Sequence, residues 1–334
     1  LGDVYKRQLA IQAKIVLFEG NPFYPSPERI WKMAEQEKLY LLGTSAKFID
    51  ASRKSGIYPE KIANLNNLKV ICSTGSPLNV EGFDFIYKHV KSNVQLASIS
   101  GGTDIVSCFV LGVPNIPVRR GEIQGAGLGM AVEIWDDSGR VNRGERGELV
   151  CTKPFPSRPV KFWNDIDGKK YHAAYFDRFE GVWAHGDFAE QTPDGGYIIY
   201  GRSDATLNPG GVRIGTAEIY RQVDRVKEVL ESIVIGQIWE SDTRIVLFVK
   251  LREGINLTET LADTIKKLIK NNCTSRHVPS KILQVEDIPR TKSGKIVEIP
   301  VRDIVHGREV KNKEALANPE ALDYFKDRPE LALE

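Results

Sequence analysis

Short apolar runs alternate with amphipathic stretches along the first hundred residues. The runs at 39–42, 69–72 and 94–99 are bounded by glycine, serine or threonine, which is typical of buried strands. Apolar positions recur at helical spacing over 80–90, and a similar stretch follows Ser26-Pro27, a pair typical of a helix start. Because strands alternate with helices, we predict a parallel sheet, in which ligands bind beyond the carboxyl ends of the strands.

The pattern changes after Gly121 and again after Gly215. Between these points, short strand-like runs separated by turns predict a β-rich section, and they lie at 131–135, 147–151, 181–187 and 196–200. After Gly215, apolar runs at 232–236, 244–249 and 281–285 predict strands, and spaced apolar positions between Leu257 and Ile269 predict an amphipathic helix. We therefore predict an α/β large domain, with a parallel sheet and a β-rich subdomain, followed by a small α+β domain.

Composition narrows the classes of function. The 334 residues suffice for two or three domains, and 41% hydrophobic with 27% charged residues is typical of a globular protein. The net charge of +2 gives no support for a nucleic-acid or anionic-membrane surface, and no apolar run reaches transmembrane length. The four cysteines lack paired spacing, which argues against zinc and disulfides and favours the cytoplasm. Residues 1–8 lack signal-peptide character and are interpreted as foreign sequence joined to a natural fragment.

The stretch Gly201–Gly215 joins the two predicted domains. It places Arg202 and Arg213 around a Gly-Gly turn, and Asp204 lies between the arginines. One interpretation is a surface loop with solvated arginines; the other is a joint between domains whose arginines face an anion. Thr216 is the candidate N-cap of the helix that follows.

Three further motifs carry candidate chemistry. Ser100–Asp104 combines glycines that permit close approach, the Thr103 hydroxyl and the Asp104 carboxylate, as a nucleotide site with a metal requires; the alternative is a strand-to-helix turn capped by Asp104. Asp187 follows a strand, where its two oxygens can accept from two ribose hydroxyls; taken alone, the motif favours the alternative of a turn aspartate. Lys295 lies in a basic loop, which is either a phosphate contact or a solvated surface.

In this order, the motifs resemble the acyl-adenylate-forming superfamily of acyl-CoA synthetases, luciferases and nonribosomal adenylation domains, from about Leu39 to about Val305. The resemblance implies ATP and AMP, Mg²⁺ and CoA as ligands. It implies that Thr103 contacts the AMP phosphate and that Asp104, where the family usually has glutamate, holds Mg²⁺. The implied nucleotide-binding residues are Gly75, Ser76, Pro77, Gly102, Thr103, Asp187, Arg202 and Arg213.

The resemblance also implies a mobile small domain. Asp204 matches the family's hinge, so the large-domain part would cover 9–203 and the mobile domain 204–334. Gly210 and Gly211 would line the CoA tunnel, and Lys295 matches the lysine of the adenylation step. The Ser/Thr/Gly-rich loop with which the family binds the triphosphate is not found in this sequence. We therefore expect this chain to be the C-terminal half of a longer enzyme, and we expect this half to be inactive alone.

The motifs at 118–124, 161–165 and 173–177 are most similar to the acetoacetate-activating branch of the family. Acetate-activating members carry a tryptophan at the position of Gly101, so glycine there implies room for a longer acyl group, and Ser45 is a second expected pocket residue. The implied reaction joins acetoacetate to CoA with conversion of ATP to AMP and pyrophosphate. An acetyl- or propionyl-CoA synthetase and a non-catalytic AMP-binding module are the alternatives.

Overall fold

The computed structural model describes residues 11–332 except 142, 143, 241, 293 and 311. The segment interpreted as foreign, 1–8, therefore lies outside the described residues. The chain divides into two compact units, Leu1–Ile199 and Tyr200–Glu334. The predicted domain boundary at 203/204 lies four residues beyond this division and stays a prediction.

The first unit contains the predicted parallel sheet. Its strands are β1 (Leu41–Ser45), β2 (Val70–Thr74) and β3 (Gln95–Ser98), paired in the order β1-β2-β3. Its helices are α1 (Arg29–Gln36), α2 (Ala46–Lys54), α3 (Pro59–Ile62) and α4 (Val80–Phe85), and a π-helical turn, Ile86–Val90, continues α4. Trp31, Ile71, Ile86 and Leu96 are almost fully buried among them. The alternation of apolar runs and helical stretches is thus confirmed.

A small antiparallel sheet follows β3. It consists of β4 (Ser100–Gly102), β5 (Ser107–Leu111) and β6 (Gly125–Ala126), and Thr103–Val106 form the turn between the first two. The strand-to-helix alternative for Ser100–Asp104 is therefore wrong, because the chain returns along β4 as a second strand instead of entering a helix.

The β-rich section forms a four-stranded sheet in the order β10-β9-β8-β7. Its strands are β7 (Val132–Trp135), β8 (Arg146–Cys151), β9 (Trp183–Gln191) and β10 (Tyr197–Arg202), and the helix α5 (Lys169–Tyr175) precedes β9. Phe109, Phe155 and Trp183 are buried together against this sheet. Trp183 also packs against Tyr171 and Tyr175 of α5, so an aromatic cluster joins the helix to the sheet.

The second unit is built on one mixed sheet that is buried on both faces. The helix α6 (Thr216–Val223) precedes β11 (Val229–Trp239) and β12 (Asp242–Leu251); α7 (Glu259–Asn272), β13 (Lys281–Gln284) and α8 (Glu298–Val305) follow. Strand β12 pairs antiparallel with β11 and parallel with β13. Neighbouring residues on β11 face opposite sides, since Val234 joins the core with α6 and α7 whereas Ile233 joins the core with α8.

The N-cap of α6 differs from the prediction. Gly215, not Thr216, is the capping residue, and Thr216 is the first helical residue. The Glu218 carboxylate accepts the Gly215 N–H at 3.0 Å, so a side chain from the first turn of α6 binds back to the N-cap backbone.

Candidate nucleotide and acyl site

The carboxyl ends of the three parallel strands lie side by side. Ser45 pairs with Thr74 across β1 and β2, and Ser73 pairs with Ser98 across β2 and β3. The predicted adenine-side residues Gly75, Ser76 and Pro77 directly follow β2, and β4 directly follows β3. These candidate residues therefore meet at one edge of the sheet, as the strand pattern predicts.

Ser45 has a structural role at this edge. Its hydroxyl accepts the Phe48 N–H at 3.1 Å and caps the start of α2. A Cβ built on Gly75 would lie 3.9 Å from the Ser45 Cβ, so the two loops are in contact distance. A role for Ser45 in an acyl pocket stays a prediction.

Asp104 is held on an exposed turn by a residue distant in sequence. The Tyr175 hydroxyl donates to Asp104 Oδ2 at 2.6 Å, and the Tyr175 ring stacks on buried Trp183 with centroids 3.6 Å apart. The other carboxylate oxygen lies over Gly102, where any Cβ would overlap it. Asp104 is thus positioned by Tyr175, which is itself held by stacking on Trp183, and the lack of a side chain at Gly102 leaves room for the carboxylate. Sequence analysis missed Tyr175, and the run of aromatic residues at 171, 175 and 176 was the available signal.

Gly101 has a packing reason of its own. A β-bulge lies between Ser100 and Gly101, and a Cβ on Gly101 would overlap the Ser107 carbonyl and lie 2.5 Å from the Cys108 Cα. Glycine is therefore required for β4 to pair with β5, whatever the acyl group. The expectation that this glycine makes room for acetoacetate stays a prediction and loses part of its support.

Asp187 lies on β9 and is buried, whereas a turn aspartate was the alternative. The Ser100 hydroxyl donates to Asp187 Oδ2 at 3.4 Å, which ties β9 to the start of β4. This contact places Asp187, a predicted nucleotide-binding residue, beside the strand that leads into the Thr103 turn. Ser100 was part of a predicted motif, but its partner was not predicted.

In the second unit, the loop after β10 is a small β-bridged hairpin. Leu207 and Ile214 exchange backbone hydrogen bonds of 2.9 and 2.8 Å, and Gly210 and Gly211 at the tip have φ of 58° and 75°. The Asp242 carboxylate accepts the Gly210 N–H at 2.9 Å. Arg213 is half-buried on the return arm. The glycines are needed here because positive φ strains other residues.

The candidate hinge is anchored through its backbone. Arg302 on α8 donates from Nη1 to the Asp204 carbonyl at 2.8 Å, and Arg202 Nε lies 3.5 Å from Asp204 Oδ1. Arg302 was not identified from the sequence, since 98 residues separate it from Asp204. The hydrogen bond from Arg302 to the Asp204 carbonyl fixes one end of the loop 204–214. The Asp204 side chain stays half-exposed.

The cations of the basic loop differ in exposure. Lys295 is exposed, and Thr291 holds its backbone on both sides, with Thr291 Oγ1 accepting from Lys295 N at 3.1 Å and Thr291 N donating to Lys295 O at 2.8 Å. Arg290 instead forms ion pairs with Glu231 and Asp287 at 2.8 and 3.0 Å. A solvated loop is therefore wrong for Arg290, which is structural. Ser293 lies outside the described residues.

Glu298 at the start of α8 is an acidic group in a desolvated setting. Its Oε1 accepts from the Tyr220 hydroxyl at 3.1 Å and from the Thr216 hydroxyl at 3.4 Å. Desolvation raises the pKa of the Glu298 carboxyl, and the nearby Asp204 charge adds to this effect. Burial first, and Glu298 second, raise the pKa of Tyr220 well above its ordinary value.

Asp104 fits Mg²⁺ as a single protein ligand. Among the described residues, no three His, Cys, Asp or Glu side chains cluster as an all-protein metal cage. Mg²⁺ is commonly held by one or two carboxylates together with substrate phosphates and water, and the exposed Asp104 supplies one such carboxylate.

The state of the cysteines and the length of the helices bear on two expectations of the sequence analysis. Cys72, Cys108, Cys151 and Cys273 are all in the thiol form rather than in disulfides. Burial, with a smaller contribution from Cys108, raises the pKa of the Cys72 thiol to about 11. Across the described part of the chain, every helix is too short or too polar to cross a membrane.

Comparison with known proteins shows what the chain is similar to. Residues 219–295 match the AMP-binding enzyme C-terminal domain. An acetoacetyl-coenzyme A synthetase of Rhizobium meliloti (strain 1021) is 62% identical over 323 residues, which is 97% of this chain and 50% of the relative. Over almost its whole length, the chain is therefore similar to about half of an acetoacetyl-CoA synthetase. An acetoacetyl-CoA synthetase of Gallus gallus is 46% identical, again over 97% of this chain and 49% of the relative. The chain thus spans about half the length of the AMP-binding enzymes it matches.

Solved structures show the same similarity. An acetoacetyl-CoA synthetase from Streptomyces lividans superposes with a TM-score of 0.87 at 41% identity, covering 94% of this chain and 49% of that one. A benzoate CoA ligase from Burkholderia xenovorans LB400 shares the fold, with a TM-score of 0.70 at 22% identity over 88% of this chain and 57% of that one. The α/β fold class and the resemblance to AMP-binding enzymes are confirmed; the roles of single residues stay predictions.

Proposed function

We propose that this chain is half of an ATP-dependent acid–thiol ligase that converts acetoacetate, ATP and CoA to acetoacetyl-CoA, AMP and pyrophosphate. The observation that carries the proposal is 62% identity, over 97% of the chain, to an acetoacetyl-CoA synthetase. Because the chain matches about half of that relative, the activity belongs to a protein of the relatives' length. A cytoplasmic location and a place in ketone-body and lipid metabolism are part of this proposal.

The first half-reaction forms the acyl-adenylate. A carboxylate oxygen of acetoacetate attacks the α-phosphorus of ATP, and pyrophosphate leaves. The Thr103 hydroxyl and the Arg213 guanidinium contact the α-phosphate, while the Lys295 ammonium stabilises the charge that develops during the transfer. Mg²⁺ bound at Asp104 supplies charge neutralisation on the phosphates. The exposure of Thr103, Asp104 and Lys295 supports these roles, since each can reach a ligand.

The adenine and the ribose of the nucleotide are held by different residues. The adenine lies against the backbone of Gly75, Ser76 and Pro77, beside Gly102, and its ribose hydroxyls donate to Asp187. Asp187 is buried on β9, next to Ser100 at the start of β4, which supports this role. Arg202 completes the ribose contacts.

The second half-reaction makes the thioester. The CoA thiolate attacks the carbonyl carbon of the acyl-adenylate, and AMP leaves with the bonding electrons of the mixed anhydride. Rotation about Asp204 replaces Lys295 by the Gly210–Gly211 tip, which admits the pantetheine arm. The open space around both glycines supports this role, because no atom lies within 4 Å of a Cβ built on either one.

Two other functions keep specific support. An acetyl- or propionyl-CoA synthetase remains open because the β4–β5 pairing explains Gly101 without a large acyl group. A non-catalytic AMP-binding module remains open for this chain alone because it spans half of the relatives' length.

Two measurements separate these functions. In a protein of the relatives' length that contains this chain, thioester formation is compared for acetoacetate, acetate, propionate and 3-hydroxybutyrate; preference for acetate or propionate would overturn the acetoacetate assignment. For the chain alone, calorimetry with AMP is paired with ATP–pyrophosphate exchange. AMP binding without exchange in both the chain and the longer protein would favour the module.

A further inference from the structure

The second unit contains a cavity that is lined by the loop 204–214, the strand β11 and the helix α8. Its volume is about 290 Å³, which suits a small organic molecule. Ala205 and Thr206 line it from the loop, Ile238 from β11 and Arg302 from α8. We call it the α8 cavity. An occupant would contact the candidate hinge loop and the core of the second unit at the same time.

Two arginines of the cavity wall converge on one carboxylate oxygen. Arg302 Nε lies 3.6 Å and Arg308 Nη1 lies 3.9 Å from the same atom, Asp303 Oδ1. Both distances are too long for hydrogen bonds. Arg302 Nε is also buried and makes no hydrogen bond to any described residue. One carboxylate therefore satisfies neither guanidinium, and a second oxyanion can accept from the pair.

The other ionisable side chains of the wall leave this positive charge in excess. His306 Nε2 accepts the Ile238 N–H at 2.9 Å and so carries no proton, and Nδ1 then donates to the Arg302 carbonyl at 2.6 Å. Glu298 is the single acidic residue of the lining, and its Oε1 already accepts from two hydroxyls of α6. Two guanidinium groups against one carboxylate give the lining a net charge of +1.

The remainder of the wall offers apolar surface and neutral polar groups. The apolar side chains include Ile235, Ile238 and Ile299, and the polar ones include Thr206 and Asn208. A phosphate ion would satisfy only the arginines, whereas a carboxylate on a short carbon chain would also cover the isoleucines. The net charge of +1 likewise matches a monoanion.

We propose that the α8 cavity binds a small monoanionic carboxylic acid and thereby stabilises the loop 204–214. The carboxylate accepts from Arg302 and Arg308, and the carbon chain lies against the isoleucines. Arg302 also donates to the Asp204 carbonyl, so the same side chain contacts the ligand and the candidate hinge. A ligand that binds one arrangement of the loop better than others shifts the loop toward it. The inference does not depend on the catalytic roles proposed above.

The test uses butyrate as the probe in a protein of the relatives' length that contains this chain. Butyrate is titrated while the isoleucine methyl signals are followed by NMR, and Ile238→Val and Ile299→Val assign the two signals of the cavity. Both signals should shift with a Kd of about 1 mM, and Arg308→Gln should raise the Kd about tenfold. Arg276→Gln removes an exposed arginine outside the lining and should leave the Kd unchanged.

A second pair of variants tests the apolar part of the wall. Ile238→Asp places a carboxylate in the cavity and should abolish the shift of the Ile299 signal by charge repulsion. Leu230→Asp changes a comparably exposed apolar residue of β11 and should leave butyrate binding intact, since Ile238 is 53% and Leu230 is 42% exposed. Thermal unfolding checks that each variant folds. Absence of a saturable shift at Ile238 and Ile299, or an unchanged Kd in Arg308→Gln, would overturn the site.

Two further measurements test the chemical class and the effect on the loop. Inorganic phosphate should bind at least tenfold more weakly than butyrate, and equal affinity would overturn the assignment to a carboxylic acid. Saturating butyrate should slow amide hydrogen exchange across 203–207 about threefold, and this slowing should disappear in Arg308→Gln. Unchanged exchange, or slowing that persists in Arg308→Gln, would overturn the stabilisation of the loop from this cavity.

Discussion

The turn Thr103–Val106 and the loop 204–214 both carry candidate catalytic residues, but they are fixed in different ways. The turn is held through a side chain, because Tyr175 binds the Asp104 carboxylate, for which the glycine at 102 leaves room. The loop is held through its backbone, because Arg302 binds the Asp204 carbonyl and Asp242 binds the Gly210 N–H. Side-chain contacts fix a functional group in one geometry, whereas a few backbone contacts allow a loop to change dihedral angles between defined anchors.

The largest expected effect concerns Lys295, which the second unit presents on an exposed loop. In a protein of the relatives' length, Lys295→Ala should lower ATP–pyrophosphate exchange about 100- to 1,000-fold, because a charge aimed at the transition state is lost. Thioester formation from supplied acyl-adenylate should persist. Lys292→Ala in the same loop is the control and should retain exchange; equal loss of both half-reactions in Lys295→Ala would contradict its assigned role.

Gly101 tests the rigidity of the first unit. Gly101→Ala should lower the free energy of unfolding by about 2 kcal/mol, because its Cβ overlaps the β5 backbone. Gly43→Ala is the matched control, since a Cβ at this strand glycine meets nothing within 4 Å. Urea unfolding of both variants measures the difference. Equal stability of the two would show that the β4–β5 pairing tolerates a side chain.

Tyr175 tests whether the turn is held through its side chain. Tyr175→Phe removes the hydroxyl but keeps the ring on Trp183, so it should weaken Mg²⁺-dependent nucleotide binding about fivefold, or about 1 kcal/mol. Calorimetric titration of AMP with and without Mg²⁺ measures this. Tyr171→Phe loses a hydroxyl that binds Pro159 instead and should behave as wild type. If both variants weaken equally, the effect is one of packing and Tyr175 does not position Asp104.

Arg302 provides the corresponding test for the loop. Arg302→Gln removes the hydrogen bond from the Arg302 guanidinium to the Asp204 carbonyl. The rate of amide hydrogen exchange across 203–207 should therefore increase about fivefold. Arg308→Gln is the control, because its side chain approaches Asp303 only at 3.9 Å. Unchanged exchange in Arg302→Gln would mean that other contacts define the hinge backbone.

The smallest expected effect is a pH dependence from Glu298. Its folded pKa is raised, so the folded state binds a proton more tightly than the unfolded chain does. Stability from this group is therefore present below its ordinary value of 4.5 and is lost as pH rises through the folded pKa. Glu298→Gln should flatten this slope, whereas the exposed Glu309→Gln should not. Urea unfolding at a series of pH values measures both, and an unchanged slope in Glu298→Gln would assign the dependence to another group.

Most of the architecture could be predicted from local pattern. The apolar runs at 69–72 and 94–99 became β2 and β3, and the spaced apolar positions between Leu257 and Ile269 lie within α7. Each of these elements has its signal inside a single segment, where periodicity is visible. The β4–β5 return was not predicted, because a Gly-Gly-Thr-Asp turn is compatible with a following helix or strand.

The contacts around the candidate site could not be predicted, because they join distant residues. Tyr175 and Asp104 are separated by 71 residues, and Asp242 and Gly210 by 32. Nothing in one sequence indicates which tyrosine or aspartate will meet a given turn. The family resemblance supplied candidate residues but not the residues that hold them, which depend on how β9, α5 and α8 pack.

In the segment 159–166, every third side chain (Pro159, Phe162 and Asp165) is buried or half-buried and those between are exposed, which has a consequence for changes of length. Connections between helices and strands usually tolerate insertions and deletions, because their side chains have few fixed directions. In this segment, deleting one residue after Phe162 would shift Trp163 and Ile166 to other directions and move Asp165 off the N–H groups that it caps. We therefore expect substitutions to be tolerated on the outward side of this segment, whereas the deletion of a single residue should not be tolerated.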